Sequence, residues 1–229
     1  MARVCVFDVN ETLLDMAALD PHFERIFGDA SKRQTWFGQF LALWLTELVT
    51  GSYTEFGTVG GSALEMLAER QGVDLSDEDK QQILGGMQEL PPHPEVEENL
   101  GRLRDAGVRL ATLTNSTQQV SDAQIDNSGL RDYFEQVLSA DTVKRLKPAP
   151  EPYRLAADSL GIEIGQLRLV AAHAWDVTGA MRAGCAAAFV ARPGMVLNPL
   201  AKRPDMVGAD LREVADRIIE VEVGTQGRG

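Results

Sequence analysis

The sequence predicts an α/β protein with a doubly wound, mostly parallel, Rossmann-like sheet and an all-helical cap subdomain inserted after the first strand. Three observations predict it. Short apolar runs without polar alternation recur along the chain, as strands buried on both faces require. Helical patterns closed by glycine separate them. One long stretch, residues 16–90, holds several helical patterns and no good strand.

Taken in order, Arg3 to Phe7 (RVCVF) is the first run, and it stops abruptly at Asp8. Helices are expected at Trp36–Val49, with Trp36, Phe40, Leu43, Trp44 and Leu48 as the apolar positions, and at Gly60–Gln71 and Asp77–Gln88. Pro91–Pro94 reads as the linker back to the core. A helix over Pro94–Ala106, stopped by Gly107, then leads to a strand over Val108–Thr114. Strands at Leu167–Ala172 and Ala186–Val190 follow, with weaker ones at Gln136–Ser139 and near Met206–Val207. Helices over Glu151–Leu160 and Val177–Ala183, closed by Gly161 and Gly184, separate them. Such alternation places active groups at the carboxyl ends of the strands. The expected division is a core of residues 1–15 and 91–222, a cap of 16–90 and a frayed tail of 223–229.

A chain of 229 residues suffices for one core and a modest inserted subdomain. The net charge of −12 argues against nucleic acid or an anionic membrane as a partner. The same charge repels a small anionic substrate, so a carboxylate site must be locally basic or rich in N–H donors. Cys5 and Cys185 lie in apolar segments and outside any CxxC pair, which points to reduced core thiols instead of zinc or dithiol chemistry. No signal-peptide pattern and no run of membrane-spanning length is visible, so the expected compartment is the cytoplasm.

Four segments carry chemistry. Asp8, at the tip of a buried strand, is either an N-cap or a functional carboxylate. Leu113-Thr114-Asn115-Ser116 ends the second strand, where hydroxyl, amide and helix-start N–H groups suit an anion, although such residues are also ordinary turn formers. The third is Lys147-Pro148-Ala149-Pro150-Glu151-Pro152-Tyr153, and the fourth runs from Ala171 through His173, Trp175, Asp176, Thr178 and Gly179 to Ala180.

Asp8 with Thr12, Leu13 and Asp15, and then the other three segments in this order, resemble the four motifs of the haloacid-dehalogenase superfamily. Within it the chain is most similar to the L-2-haloacid dehalogenases (type II), over residues 3–15 and about 91–215 and more loosely across the cap. The resemblance implies hydrolysis of short 2-haloalkanoic acids to 2-hydroxy acids through an Asp8 ester, with no metal or other cofactor. It implies catalytic roles for Asp8, Lys147, Asp176, His173 and Thr12. Lys147 would keep Asp8 ionised and help hold the substrate carboxylate, and Asp176 would position or activate water. Substrate contacts are implied at Val9, Asn10, Phe37, Thr114, Asn115, Tyr153 and Trp175. The implied partners are a small 2-haloacid, the released halide and a second copy of the chain in a homodimer.

Several positions depart from that pattern. Asn10 stands where phosphatases of the superfamily carry an acid/base Asp and dehalogenases commonly carry Tyr. Residues 171–174 lack the acidic residue that magnesium-dependent members supply, and magnesium requires clustered oxygen ligands. Both differences weigh against the alternative, a magnesium-dependent phosphatase acting on a small phosphomonoester. Ala171 and His173 replace the usual Ser and Asn. His173 is either structural or a partner of Asp176 and the water, since its unperturbed pKa is near neutral. Phe37 occupies the place of a halide-binding Arg. The replacements to weigh are Arg33, one turn earlier, or N–H donors and ring edges around Trp36, Phe37 and Trp175. Closure of Trp36, Phe37 and Phe56 over the site would strip water from the nucleophile.

Overall fold

A computed structural model describes residues 3–224. Its sheet is built from β1 (Val4–Phe7), β2 (Leu110–Thr114), β3 (Gln136–Ser139), β4 (Leu167–Ala171), β5 (Ala186–Val190) and β6 (Met206–Gly208). The strand order is β3-β2-β1-β4-β5-β6 and every neighbouring pair is parallel. The unbroken apolar run of β1 follows from its central place. Cys5 and Phe7 enter the core on one face, and Val4 and Val6 enter the core on the other.

The order of strands reverses at β1, which opens a crevice beyond the carboxyl ends of β1, β2 and β4. Phe7 lies opposite both Thr112 and Val170, and the Asp8 N–H still donates to the Val170 carbonyl at 3.0 Å. The chain then turns into the crevice.

Between β1 and β2 come α1 (Asp20–Phe27), α2 (Lys32–Thr50), α3 (Phe56–Gln71) and α4 (Asp77–Gly86), with no strand among the described residues. The outgoing and returning segments lie side by side: Asp15 N–H donates to Pro91 O at 2.8 Å and His93 N–H to Leu13 O at 2.9 Å. Trp36, Phe40 and Trp44 form one buried stripe of α2 that packs on Phe56 of α3, with the Phe40 and Phe56 rings 4.3 Å apart. Gly60 makes this approach feasible, because a Cβ there would lie 3.1 Å from the Phe40 ring. Helix α1 is not among those expected from the sequence, although Phe23, Ile26 and Phe27 have helical spacing, and α2 begins four residues before Trp36. The first turn of α2, Lys32 to Thr35, is polar, so hydrophobic periodicity is silent there.

The core helices are α5 (Val96–Asp105), α6 (Gln118–Asn127), α7 (Pro150–Ser159), α8 (Ala174–Ala183) and α9 (Leu211–Ile218). Neither α6 nor α9 is expected from the sequence, and α8 starts three residues earlier than expected, bringing Trp175 and Asp176 into its first turn. No helix among the described residues is long and apolar enough to cross a membrane. Of the tail expected from residue 223, residues 225–229 lie outside the described residues.

One charged group sits inside the sheet. Arg168 of β4 is fully buried and pairs with Asp205 at 2.8 Å and with Glu222 at 2.7 Å. This ties β4 to the strand-β6 segment and to the chain beyond α9. Removing one partner of a buried pair leaves the other charge uncompensated. Arg168→Ala should therefore lower unfolding stability by about 3–5 kcal/mol, read as a fall in the urea midpoint. An unchanged midpoint would show that the network contributes nothing.

Candidate active site

β1, β2 and β4 each deliver part of one site. Asp8, at the end of β1, has one donor on each carboxylate oxygen: Lys147 Nζ lies 2.8 Å from Oδ1, and Thr12 Oγ1 donates to Oδ2 at 2.7 Å. Thr12 Oγ1 accepts in turn from the Ala172 N–H at 2.9 Å, which links this turn to the end of β4. Asp8 does not cap a helix; Leu13 and Leu14 donate back to the Val9 carbonyl, and Glu11 takes a left-handed conformation with φ 62°. Burial pushes the Asp8 carboxyl up, but the Lys147 and His173 charges and the two donors more than offset it. The carboxyl sits below the ordinary carboxylate range and is ionised at neutral pH.

Lys147 is fully buried, and its three N–H bonds are all assigned: to Asp8, to Asp176 Oδ2 at 2.6 Å and to the Leu113 carbonyl at 2.7 Å. Burial alone would lower its pKa; Asp176 and Asp8 together raise it. The main chain beneath is clamped by Asn115, whose Oδ1 accepts from Lys147 N at 2.7 Å and whose Nδ2 donates to Lys147 O at 3.2 Å. Helix α8 presses on the same loop through Gly179, where a Cβ would come within 2.5 Å of Pro148 Cβ.

Asp176 is also fully buried and receives the Tyr153 hydroxyl on Oδ1 at 2.6 Å. Burial pushes its carboxyl up to about 6, with the Asp8 charge adding to the rise and Lys147 opposing it. It remains ionised at neutral pH.

Above these groups lies a small cavity of about 10 Å³, room for roughly one water molecule. Asp8, Thr114, Asn115, Lys147 and His173 line it from the core together with Asn10, and Phe37, Trp44, Phe56 and Trp175 complete the wall. The His173 imidazole lies between two rings, Phe37 at 5.4 Å and 22° and Trp175 at 5.2 Å and 20°. Burial pushes its pKa below the ordinary histidine value, Lys147 adds to this, and Asp8 and the Asn10 main chain oppose it.

Several sequence expectations require correction. Tyr153 does not reach the cavity: it is fully buried and its hydroxyl serves Asp176. Asp176 itself faces Lys147 and Tyr153, so it is placed to hold the ammonium and not a water in the cavity. Lys147 has no N–H left for a substrate carboxylate. The Val9 side chain is in the core, which leaves only its main chain near the site. Asn10 accepts from Gln124 at 2.8 Å through Oδ1, and the Asn115 amide is engaged with Lys147. Arg33 is ion-paired with Glu11 at 2.8 Å and Asp20 at 2.5 Å, beside a separate crevice of about 300 Å³. Trp36 donates to the Gly60 carbonyl and lies outside the cavity wall. Conversely, Trp44 belongs to the wall and was not singled out. Its spacing from Phe37 and Phe40, seven and four residues, is the signal that marks the shared helix face.

These contacts generate a prediction for Tyr153. Tyr153→Phe removes a hydrogen bond to a buried charge and should cost about 1.5–3 kcal/mol of stability, with KM unchanged. Thermal unfolding and steady-state kinetics check it; a raised KM with unaltered stability would restore Tyr153 to the substrate.

With this geometry in view, three comparisons agree. A family model described as haloacid dehalogenase-like hydrolase matches residues 2–184. The chain is 30% identical to an (S)-2-haloacid dehalogenase of Pseudomonas sp. (strain YL) over 97% of each chain. It is 27% identical to haloacetate dehalogenase H-2 of Moraxella sp. (strain B), over 87% of this chain and 90% of that one. The L-2-haloacid dehalogenase from Xanthobacter autotrophicus superposes with a TM-score of 0.90 at 25% identity, covering 96% of this chain and all of that one. The same enzyme, solved with chloropropionic acid covalently bound, superposes at 0.89 and 24% identity. The chain therefore belongs to the haloacid dehalogenase-like hydrolases.

Proposed function

We propose that this chain is an (S)-2-haloacid dehalogenase that hydrolyses short 2-haloalkanoic acids to 2-hydroxy acids through an ester on Asp8. One observation carries the reading: the Lys147 ammonium sits between the Asp8 and Asp176 carboxylates, 2.8 and 2.6 Å away. A magnesium ion bridging those carboxylates would have to occupy the place that the ammonium fills. Residues 171–174 offer no carboxylate, and the Asn10 side chain cannot act as the acid that phosphoryl transfer needs. The donor set does not fit a magnesium site, so the phosphatase alternative loses its support.

Asp8, held ionised and oriented by Lys147 and Thr12, attacks the α-carbon from the side opposite the halogen, and halide leaves with inversion. Thr114 and the remaining N–H donors of the strand-end turns receive the substrate carboxylate. Water then attacks the Asp8 carbonyl carbon. His173 is the base, because it lines the cavity and its lowered pKa keeps it neutral near pH 7. It takes the water proton and returns it to the departing alkoxide oxygen, so the product is the 2-hydroxy acid. Asp8 retains one oxygen from water and releases its own proton, as its lowered pKa requires.

The cytoplasm is the proposed compartment, supported by two buried thiols, Cys5 and Cys185, whose pKa values burial pushes up to about 12. The homodimer belongs to the same proposal and is decided by sedimentation at two concentrations.

Halide release from both enantiomers of 2-chloropropionate, and from fluoroacetate, in excess EDTA is the direct test. Release from the (S)-acid should survive EDTA and vanish in Asp8→Asn; abolition by EDTA would overturn the reading. His173→Gln should slow ester hydrolysis by about 10²–10⁴-fold, so that intact-mass spectrometry finds the Asp8 ester accumulating. The acid limb of wild-type turnover should lie below pH 6.5, since His173 works unprotonated and its pKa is lowered from that ordinary value. A limb above pH 6.5 would remove His173 as the base.

A further inference from the structure

Gln124 of α6 takes no part in the chemistry above, yet it is fully buried and commits both amide protons near the site. Its Nε2 donates to the Met87 carbonyl at 2.7 Å and to Asn10 Oδ1 at 2.8 Å. Met87 directly follows α4, the last helix of the insertion. Asn10 belongs to the nucleophile turn and borders the reaction cavity. The Gln124 carbonyl oxygen is left buried without a partner. Such an acceptor is rare and unfavourable, so the arrangement is held against a cost.

The orientation of each amide follows from its neighbour. A main-chain carbonyl can only accept, so Met87 fixes the NH2 end of Gln124 toward itself. The second proton of that NH2 group also needs an acceptor, so Asn10 turns its Oδ1 to Gln124. The NH2 end of Asn10 is thereby directed away from Gln124. It makes no hydrogen bond among the described residues and keeps some exposure. Other donors of the wall are committed elsewhere. Lys147 has given its N–H bonds to Asp8, Asp176 and Leu113, and the Asn115 amide clamps the Lys147 main chain. A substrate carboxylate brought up to Asp8 therefore depends on neutral donors, and the amide at position 10 supplies one. We propose that Gln124 is a positioning residue that aims the Asn10 NH2 group at the substrate carboxylate. The proposal rests on the dehalogenase reading of the same cavity. It also ties a carboxylate donor of the core to the helical insertion, because the Met87 carbonyl sets the first amide.

The test measures turnover of (S)-2-chloropropionate alongside binding of propionate, a carboxylate without a leaving group. Binding is followed by tryptophan emission, since Trp44 and Trp175 line the cavity, with propionamide as the uncharged control. Gln124→Met should raise KM and the propionate half-saturation by about three- to ten-fold, with kcat within about two-fold of wild type. In an Asn10→Ala background the same substitution should add nothing to KM, because Gln124 acts through that amide. A lowered melting temperature with unchanged KM would overturn the positioning role, and so would an equal rise in KM with and without Asn10. Should Gln124→Met fail to fold, Asn10→Asp decides. That variant keeps an oxygen for Gln124 and replaces the NH2 group by a second oxygen, so the propionate half-saturation should rise about ten-fold or more. Wild-type affinity in Asn10→Asp would overturn the proposal with the dehalogenase reading intact. A wild type that releases no halide overturns the dehalogenase reading, and propionate binding weakened in both variants would still support the carboxylate donor.

Discussion

The site depends on one buried ammonium. Lys147 Nζ meets Asp8, Asp176 and the Leu113 carbonyl with no exposure to water. A lysine taken wholly out of solvent stays charged only when anions compensate its lost hydration, and here two carboxylates do so. Those carboxylates are buried for the same reason. The trio carries a net charge of minus one, and the Thr12 and Tyr153 hydroxyls spread it further. Much of the fold near the crevice exists to hold this trio. Asn115 clamps the Lys147 main chain, and Gly179 lets α8 approach closely enough for Asp176 to reach the ammonium. A side chain at position 179 would move both partners at once.

This arrangement leaves Asp8 and its partner Lys147 as the ionised groups lining the reaction cavity, in otherwise neutral surroundings. That suits a nucleophile whose weakness in water is its hydration. The Phe37, Trp44 and Phe56 side chains from the helical insertion replace water with ring faces and edges. They also set the protonation of His173, because an imidazole stacked between Phe37 and Trp175 has lost its solvent. The same apolar wall that surrounds Asp8 therefore favours a neutral His173, as its proposed role as base requires. Lys147 assists by repelling a second positive charge nearby.

The strands, the insertion and the nucleophile turn were legible in the sequence because each has a local signature: buried apolar runs, a long strand-free stretch, a carboxylate at a strand tip. The directions of side chains were not. Asp176 and Tyr153 share segments with residues that do line the cavity, yet they point beneath it, and only the packing of α7 against α8 determines that. Val9 could not be assigned to core or cavity because a turn has no period. Arg33 was a candidate for an anion until Asp20 and Glu11, from two other segments, were seen to hold it. Trp44 shared a visible helical stripe with Phe40, but a stripe does not say which of its members faces a core and which a cavity. Helices α6 and α9 are not expected from the sequence. In α6 the buried positions are few and polar residues, Ser121 and Gln124, are among them, whereas α9 is short and carries its apolar stripe on Leu211, Val214, Ala215 and Ile218.

The cavity beside Asp8 is narrow, with room for roughly one water molecule. Phe37 is part of its wall. It lines both the reaction cavity and the crevice of about 300 Å³ beside Arg33, Pro193 and Gly194. The Phe37 ring stacks on the His173 imidazole, 5.4 Å away at 22°. With Phe at position 37, an apolar ring separates the cavity that holds Asp8 from that neighbouring crevice.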